Sequence, residues 1–321
     1  MYSISVLVSV VFGAIAASAF IVTQTLDFAV DSSDAQLTTV ELISKYGYQA
    51  EIHQVQTEDG YLLEMHRVSG NSRAAADPNR PPVFLMHGLL ASSADFVLVG
   101  PSHALVYQLS DLGYDVWLGN ARGNRYSRKH VNLTANMNQF WNFSWHEIGI
   151  YDLPAMIDYV LSYTGKQKLH YLGHSQGTTS FFVMTSMKPE YNDKIVLMQA
   201  MAPVAFMEHM SSPLLKFFVD NLPMISTIID LFGMGEFQPL PSVLVELAKY
   251  ICPSSQSNNL CVNVLFQLTG DDPDQIDPEI QVVSAKKILI YKQVFRPAIM
   301  YAVPIWSSLG LPDPTARKRV H

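Results

Sequence analysis

A serine with a glycine two residues to either side, Gly173-His174-Ser175-Gln176-Gly177, stands between the apolar stretch Leu169 to Leu172 and the segment Thr178 to Met187. That setting predicts a strand that turns at once into a helix, with Ser175 on the bend. So sharp a bend leaves no room for Cβ atoms at Gly173 and Gly177, and it pushes the Ser175 side chain into the open. The pattern G-x-S-x-G arises by chance about one time in ten in a chain of this length, so its surroundings must carry the reading.

Those surroundings alternate between strand and helix signals. Ala50 to Gln56 and Tyr61 to Val68 read as two strands around the turn Glu58-Asp59-Gly60, an N-terminal hairpin. A loop from Gly70 to Pro82 leads to the short buried-strand candidate Val83 to Met86, which ends at His87-Gly88. A helix follows with Leu105, Leu109 and Leu112 in period, and then the strand Asp115 to Leu118. The clearest helix runs from Tyr151 to about Tyr163, with Asp152 as its cap, Pro154 in its first turn and Gly165 as its stop. The strand Lys168 to Leu172, the bend, its helix and the apolar run Lys194 to Met198 complete a βαβαβ series. Such a series predicts an α/β fold with a doubly wound, mostly parallel sheet. After Pro203 the alternation ends, and the apolar stretch from Pro213 to Phe237 reads as an inserted helical cap over residues 205–290. Most of its side chains are packing; the functional alternative is a lid lining an acyl pocket and meeting a lipid surface.

With 321 residues, 49% of them hydrophobic, the chain can bury one large core that carries an insertion. A formal net charge of −7 without a long basic stretch excludes a nucleic-acid partner. Ile4 to Ala16 followed by Ala17-Ser18-Ala19 predicts a signal peptide over residues 1–19, and export. The run is short for a bilayer span, and no later stretch is long enough, so no stable transmembrane anchor is expected. In an oxidising compartment the only two cysteines, Cys252 and Cys261, are expected to join. Closing so short a loop contributes about 2–3 kcal/mol, the alternative being two buried thiols. The sequons at Asn132 and Asn142 are expected to carry glycans. The sequence shows no metal constellation or phosphate-cradling loop, so no cofactor is implied.

Acyl transfer needs a nucleophile, an oxyanion hole, a base and a group that orients the base. Ser175 supplies the first. The oxyanion donors are backbone N–H groups, one from the residue after the nucleophile, Gln176, and one from a loop after an earlier strand, where Leu89 fits. His87 and His174 read as structural neighbours of that site.

The runs His87-Gly88-Leu89-Leu90-Ala91-Ser92, Gly113 to Asn120, Arg122-Gly123-Asn124, Tyr151-Asp152-Leu153-Pro154 and Gly173 to Gly177 occur in family order. With Thr57-Glu58-Asp59-Gly60-Tyr61 and Gly270-Asp271-Asp272-Pro273-Asp274, the chain resembles the acid lipases, the gastric and lysosomal lipase family of the α/β-hydrolase superfamily. The likeness is closest to the insect members and runs from about Leu37 to about Glu279. It implies an α/β-hydrolase fold and a secreted or lysosomal ester hydrolase that meets lipid esters at a lipid–water interface. It also implies Ser175 as nucleophile, Leu89 and Gln176 as oxyanion donors, and a bridge in the cap between Cys252 and Cys261.

Past Gln281 the sequence departs from the family pattern, and residues 291–321 read as a truncated or divergent remainder of a core that begins at residue 20 and is interrupted after residue 204. Val303-Pro304-Ile305 followed by Asp313 has the spacing of the acid-bearing strand, against an exposed turn Asp between two prolines. Only His209 and His321 follow Ser175, neither with the spacing of a base. Two alternatives stay open: a lipid-binding or storage protein on the same scaffold without turnover, and a C-terminal stretch belonging to an alternative transcript.

Overall fold

The computed structural model of the chain describes residues 34, 37–71, 75–89 and 91–206. The leader, most of the expected cap, Cys252, Cys261, His209, Asp313 and His321 lie outside the described residues.

Among the described residues seven strands form one sheet: β1 (Tyr48–Gln56), β2 (Tyr61–Asn71), β3 (Pro82–Met86), β4 (Asp115–Leu118), β5 (Lys129–His130), β6 (Leu169–His174) and β7 (Ile195–Met201). Their order is β1-β2-β4-β3-β6-β7, with β5 paired to β2. The expected hairpin is present as the antiparallel pair β1 and β2. β4, β3, β6 and β7 are parallel to one another, as the βαβαβ pattern requires.

Period-two alternation along the central strands divides the apolar side chains between two faces. Phe84 and Met86 of β3, Trp117 of β4 and Tyr171 of β6 enter one core, together with Met156, Ile157 and Val160 of α3 (Leu153–Thr164). Val83 and Leu85, Val116 and Leu118, and Leu172 enter the other, against Leu42 and Ile43 of α1 (Thr39–Lys45) and Val106 and Tyr107 of α2 (Leu105–Asp111). Apolar burial on both faces is what holds short parallel strands in a sheet that hydrogen bonds alone would not stabilise.

Two local expectations are corrected. The buried face of α2 is Val106, Tyr107 and Ser110, whereas Leu112 is 75% exposed. Leu105 and Leu109 are only partly buried at its margin. The helix is rotated so that the large Tyr107 ring fills the space beside Tyr46 and Tyr48. Asp152 is not a cap. It lies in helical conformation at the end of a π-helical turn, Ile148–Asp152, that leads into α3, and its carboxylate makes no capping bond. The side chain is drawn instead to Arg122, a stronger, charge-assisted partner. The end of α3 agrees with the sequence: Gly165 takes the left-handed φ of 67° there.

From β3 the chain goes to β4 on one side and later to β6 on the other, so connections leave the paired strands β3 and β6 in opposite directions. The carboxyl ends of strands flanking such a reversal open a crevice. Met86, the last residue of β3, is in register with Gly173 of β6. His87-Gly88-Leu89 and the bend at Ser175 therefore leave the sheet side by side.

Candidate active site

Ser175 has φ 50° and ψ −115°, outside the regions open to L-residues, and sits between the last residue of β6 and α4 (Gln176–Met187). Three hydrogen bonds hold it there. Its N–H donates to the Met201 carbonyl at the end of β7 (2.9 Å), and its carbonyl accepts from Thr178 N–H (2.9 Å) and Thr178 Oγ1 (2.6 Å). The side chain is half-exposed. The glycines have the steric role read from the sequence: a Cβ on Gly177 would lie 2.4 Å from the Met86 carbonyl oxygen, and one on Gly173 would lie 2.9 Å from the Gly177 carbonyl carbon. A side chain at position 177 would push α4 off the end of β3, and one at position 173 would push the end of β6 off the first turn of α4.

Gly88 brings the neighbouring loop onto this bend, for a Cβ built on it would be 3.2 Å from the Ser175 Cβ and 3.1 Å from His174 Nδ1. Leu89 follows in an exposed turn, and Gln176 opens the twelve-residue α4, where helix N–H groups have no intrahelical acceptor. Burial pushes the His174 imidazole below its usual pKa.

The His87 ring is buried, and its surroundings assign its tautomer. Asn124 Oδ1 accepts from the N–H groups of Tyr126 (2.9 Å) and Ser127 (3.1 Å), so its Nδ2 is the atom that faces His87. His87 Nε2 accepts from that amide and from Ala121 N–H, both at 3.1 Å. The proton is therefore on Nδ1, which donates to the Gly88 carbonyl at 2.8 Å. Burial, and secondarily the charge His174 can carry, push the His87 pKa down to about 4 against the opposing bond to Gly88. An unfolded chain takes up this proton near the ordinary value of 6.5, earlier than the folded one. Stability present above pH 6.5 is therefore lost as the pH falls toward about 4, a loss on the order of 3 kcal/mol from this ring. Urea unfolding at pH 7 and pH 4 should show a smaller acid loss in His87→Gln than in the wild type, and equal losses would contradict it.

Three of the motifs quoted for the family likeness converge on one buried cation, a relation that strand and helix periodicity does not reveal. Arg122 Nε donates to Asp152 Oδ1 (2.7 Å), its backbone N–H to Asp152 Oδ2 (2.9 Å), and Nη1 and Nη2 to the two oxygens of Asp59 (2.5 and 2.8 Å). The guanidinium carbon lies 4.0 Å from the Tyr61 ring centroid. The side chains of Arg122 and Asp152 are 1% and 0% exposed. Burial works against the guanidinium's charge, but the two carboxylates outweigh it and hold Arg122 above the usual arginine range. Partial burial likewise opposes ionisation of Asp59, and the bonds from Arg122 still keep its carboxyl below the usual value. Burial raises the Asp152 carboxyl against the pull of the same arginine. The triad ties the β1–β2 turn to the start of α3 and to the loop after β4 that holds His87. The available signal was an arginine between Ala121 and Gly123 beside a strand with no solvent face.

The sequons stand apart from this site, with Asn132 and Asn142 both exposed. Among the described residues no helix is long and apolar enough to cross a membrane.

A family model described as a partial alpha/beta-hydrolase lipase region matches residues 39–100, and one for the alpha/beta hydrolase fold matches residues 81–225. The chain is 48% identical over 242 residues to Lipase 1 and 47% identical over 241 residues to Lipase 3, both of Drosophila melanogaster. It is 40% identical over 238 residues to the human lysosomal acid lipase/cholesteryl ester hydrolase. These matches cover 74%, 75% and 74% of this chain and 51%, 61% and 59% of the respective relatives, so the chain spans little more than half of their length.

Proposed function

Because the chain belongs to the acid lipase family of the α/β-hydrolases, we propose that it is a serine ester hydrolase cleaving apolar carboxylic esters such as triacylglycerols or sterol esters. Ser175 Oγ attacks the ester carbonyl carbon and gives up its proton to a base. The Leu89 and Gln176 N–H groups hold the resulting oxyanion. The tetrahedral intermediate then collapses with the C–O bond broken and the alcohol leaving with a proton, and water hydrolyses the acyl-enzyme. One observation carries this reading: Ser175 is held at φ 50° on a strand-to-helix bend with the backbone of Gly88 against its Cβ. Nothing in folding alone rewards a strained serine there, whereas a nucleophile is presented by such a turn.

The reading extends to an exported protein, secreted or lysosomal, with glycans at the exposed Asn132 and Asn142, a bridge between Cys252 and Cys261, and a cap over residues 205–290 that meets the lipid surface. Asp313 is the candidate acid. The test is covalent: a fluorophosphonate should add to Ser175 of the wild type and not to Ser175→Ala, read by mass spectrometry of the modified peptide. An unlabelled wild-type Ser175 would count against ester hydrolysis.

A further inference from the structure

The histidine at the end of β3 takes no part in the chemistry proposed above, yet its one donated hydrogen bond goes to the peptide that matters most for that chemistry. His87 Nδ1–H donates to the Gly88 carbonyl at 2.8 Å. The Gly88 carbonyl and the Leu89 N–H belong to the same peptide unit, and no peptide bond among the described residues is cis. In a planar trans peptide the C=O and N–H point in opposite directions. Turning the carbonyl toward the His87 ring therefore turns the Leu89 N–H away from it. We propose that His87 is the positioning residue of the oxyanion site, holding the Gly88–Leu89 peptide so that the Leu89 N–H faces the crevice at Ser175.

The ring is suited to the task because it cannot turn. Its far nitrogen is clamped by two donors, Ala121 N–H and Asn124 Nδ2, each at 3.1 Å, and its side chain is buried. Asn124 is in turn fixed by Asn120, whose Oδ1 accepts from Asn124 Nδ2 at 2.9 Å. Flipping the ring would put ring carbons in place of both nitrogens and leave the two donors and the Gly88 carbonyl without their partner, and flipping the peptide would leave both Nδ1–H and the Gly88 carbonyl without their bond in a buried place. A glycine is needed beside it, since a side chain at position 88 would meet the Ser175 Cβ and hold the peptide off the bend. The device uses hydrogen bonds alone: His87 neither donates to nor accepts from the reacting atoms.

This rests on Ser175 being the nucleophile of an ester hydrolase, and the test separates the two claims. His87→Gln keeps an amide near the position of Nε2 but removes the donor at Nδ1, whereas His87→Asn keeps a donor near Nδ1 and gives up the Nε2 acceptor. The rate of fluorophosphonate addition to Ser175 should fall on the order of 100-fold in His87→Gln and stay within about threefold of the wild type in His87→Asn, the loss expected of one misdirected oxyanion donor. Melting curves accompany each rate, because a residue that only supported the fold would slow both variants in proportion to their loss of stability. Equal labelling of wild type and His87→Gln, or equal slowing of both variants, overturns the proposal. If His87→Gln does not fold, His87→Asn decides alone: near wild-type labelling supports the proposal and a 100-fold loss refutes it. A wild type that is never labelled defeats the ester-hydrolase reading instead. The crystal structure of His87→Gln then decides the positioning claim, supporting it if the Gly88–Leu89 peptide has turned and refuting it if the peptide has not.

Discussion

Ser175→Gly should remove ester hydrolysis, by about a million-fold, and at the same time stabilise the fold by about 1 kcal/mol. The first effect follows from loss of the Oγ that is proposed to attack the ester. The second follows from the backbone. A serine at φ 50° and ψ −115° stores about 1–3 kcal/mol of strain, whereas glycine adopts such angles freely. Glycine also gives the unfolded chain more freedom, which takes back about 0.5–1 kcal/mol and leaves the smaller net gain. The three hydrogen bonds that hold residue 175, two between backbone groups and one from the Thr178 hydroxyl, involve no side chain of that residue, so the bend survives the substitution. Urea unfolding and ester turnover on the same preparations check both halves. A variant less stable than the wild type would contradict the stored strain, and a variant that still turns over would remove Ser175 from the chemistry.

Arg122→Ala should be among the most damaging substitutions outside the bend, costing about 3–5 kcal/mol of a stability that for such domains totals about 5–15 kcal/mol. The loss is less that of an attraction than the creation of a buried charge, since the Asp152 carboxylate is fully buried and loses the guanidinium, keeping only the backbone N–H of residue 122 of the bonds described above. Adding Asp152→Asn should therefore restore part of the loss, because a neutral amide is cheaper to bury than an unpaired carboxylate. Denaturant midpoints of the two single variants and the double variant complete the cycle. A cost below about 1 kcal/mol for Arg122→Ala, or strict additivity in the cycle, would contradict the triad as described. The same variant should slow labelling of Ser175, since Ala121 and Asn124, the donors that clamp His87, flank Arg122 on its loop.

Much of this architecture was legible in the amino-acid order because it rests on local periodicity. The hairpin around Glu58-Asp59-Gly60, the strand Asp115 to Leu118 and the turn from strand to helix at Ser175 each carry their signal within a dozen residues. Asp152 shows where that logic stops. An acidic residue just before Leu153-Pro154 is a good cap by local rules, but an arginine thirty positions earlier in the chain offers it two charge-assisted bonds, and the stronger partner wins. The face of α2 was likewise set by the Tyr107 ring packing on Tyr46 and Tyr48, which no helical period encodes.

By itself the sequence determined the class of fold, the position of the serine on the strand-to-helix bend and the need for glycine on both sides of it, since steric exclusion at a bend and apolar alternation along a strand act between near neighbours. Only the tertiary structure decided that Thr57 to Tyr61, Arg122 and Asp152 form a single ion cluster, and that His87 turns its proton toward the Gly88 carbonyl. Those outcomes depend on the order in which the strands lie in the sheet. That order brings together groups far apart in the chain, and their charges and hydrogen bonds then settle against whatever burial has placed beside them.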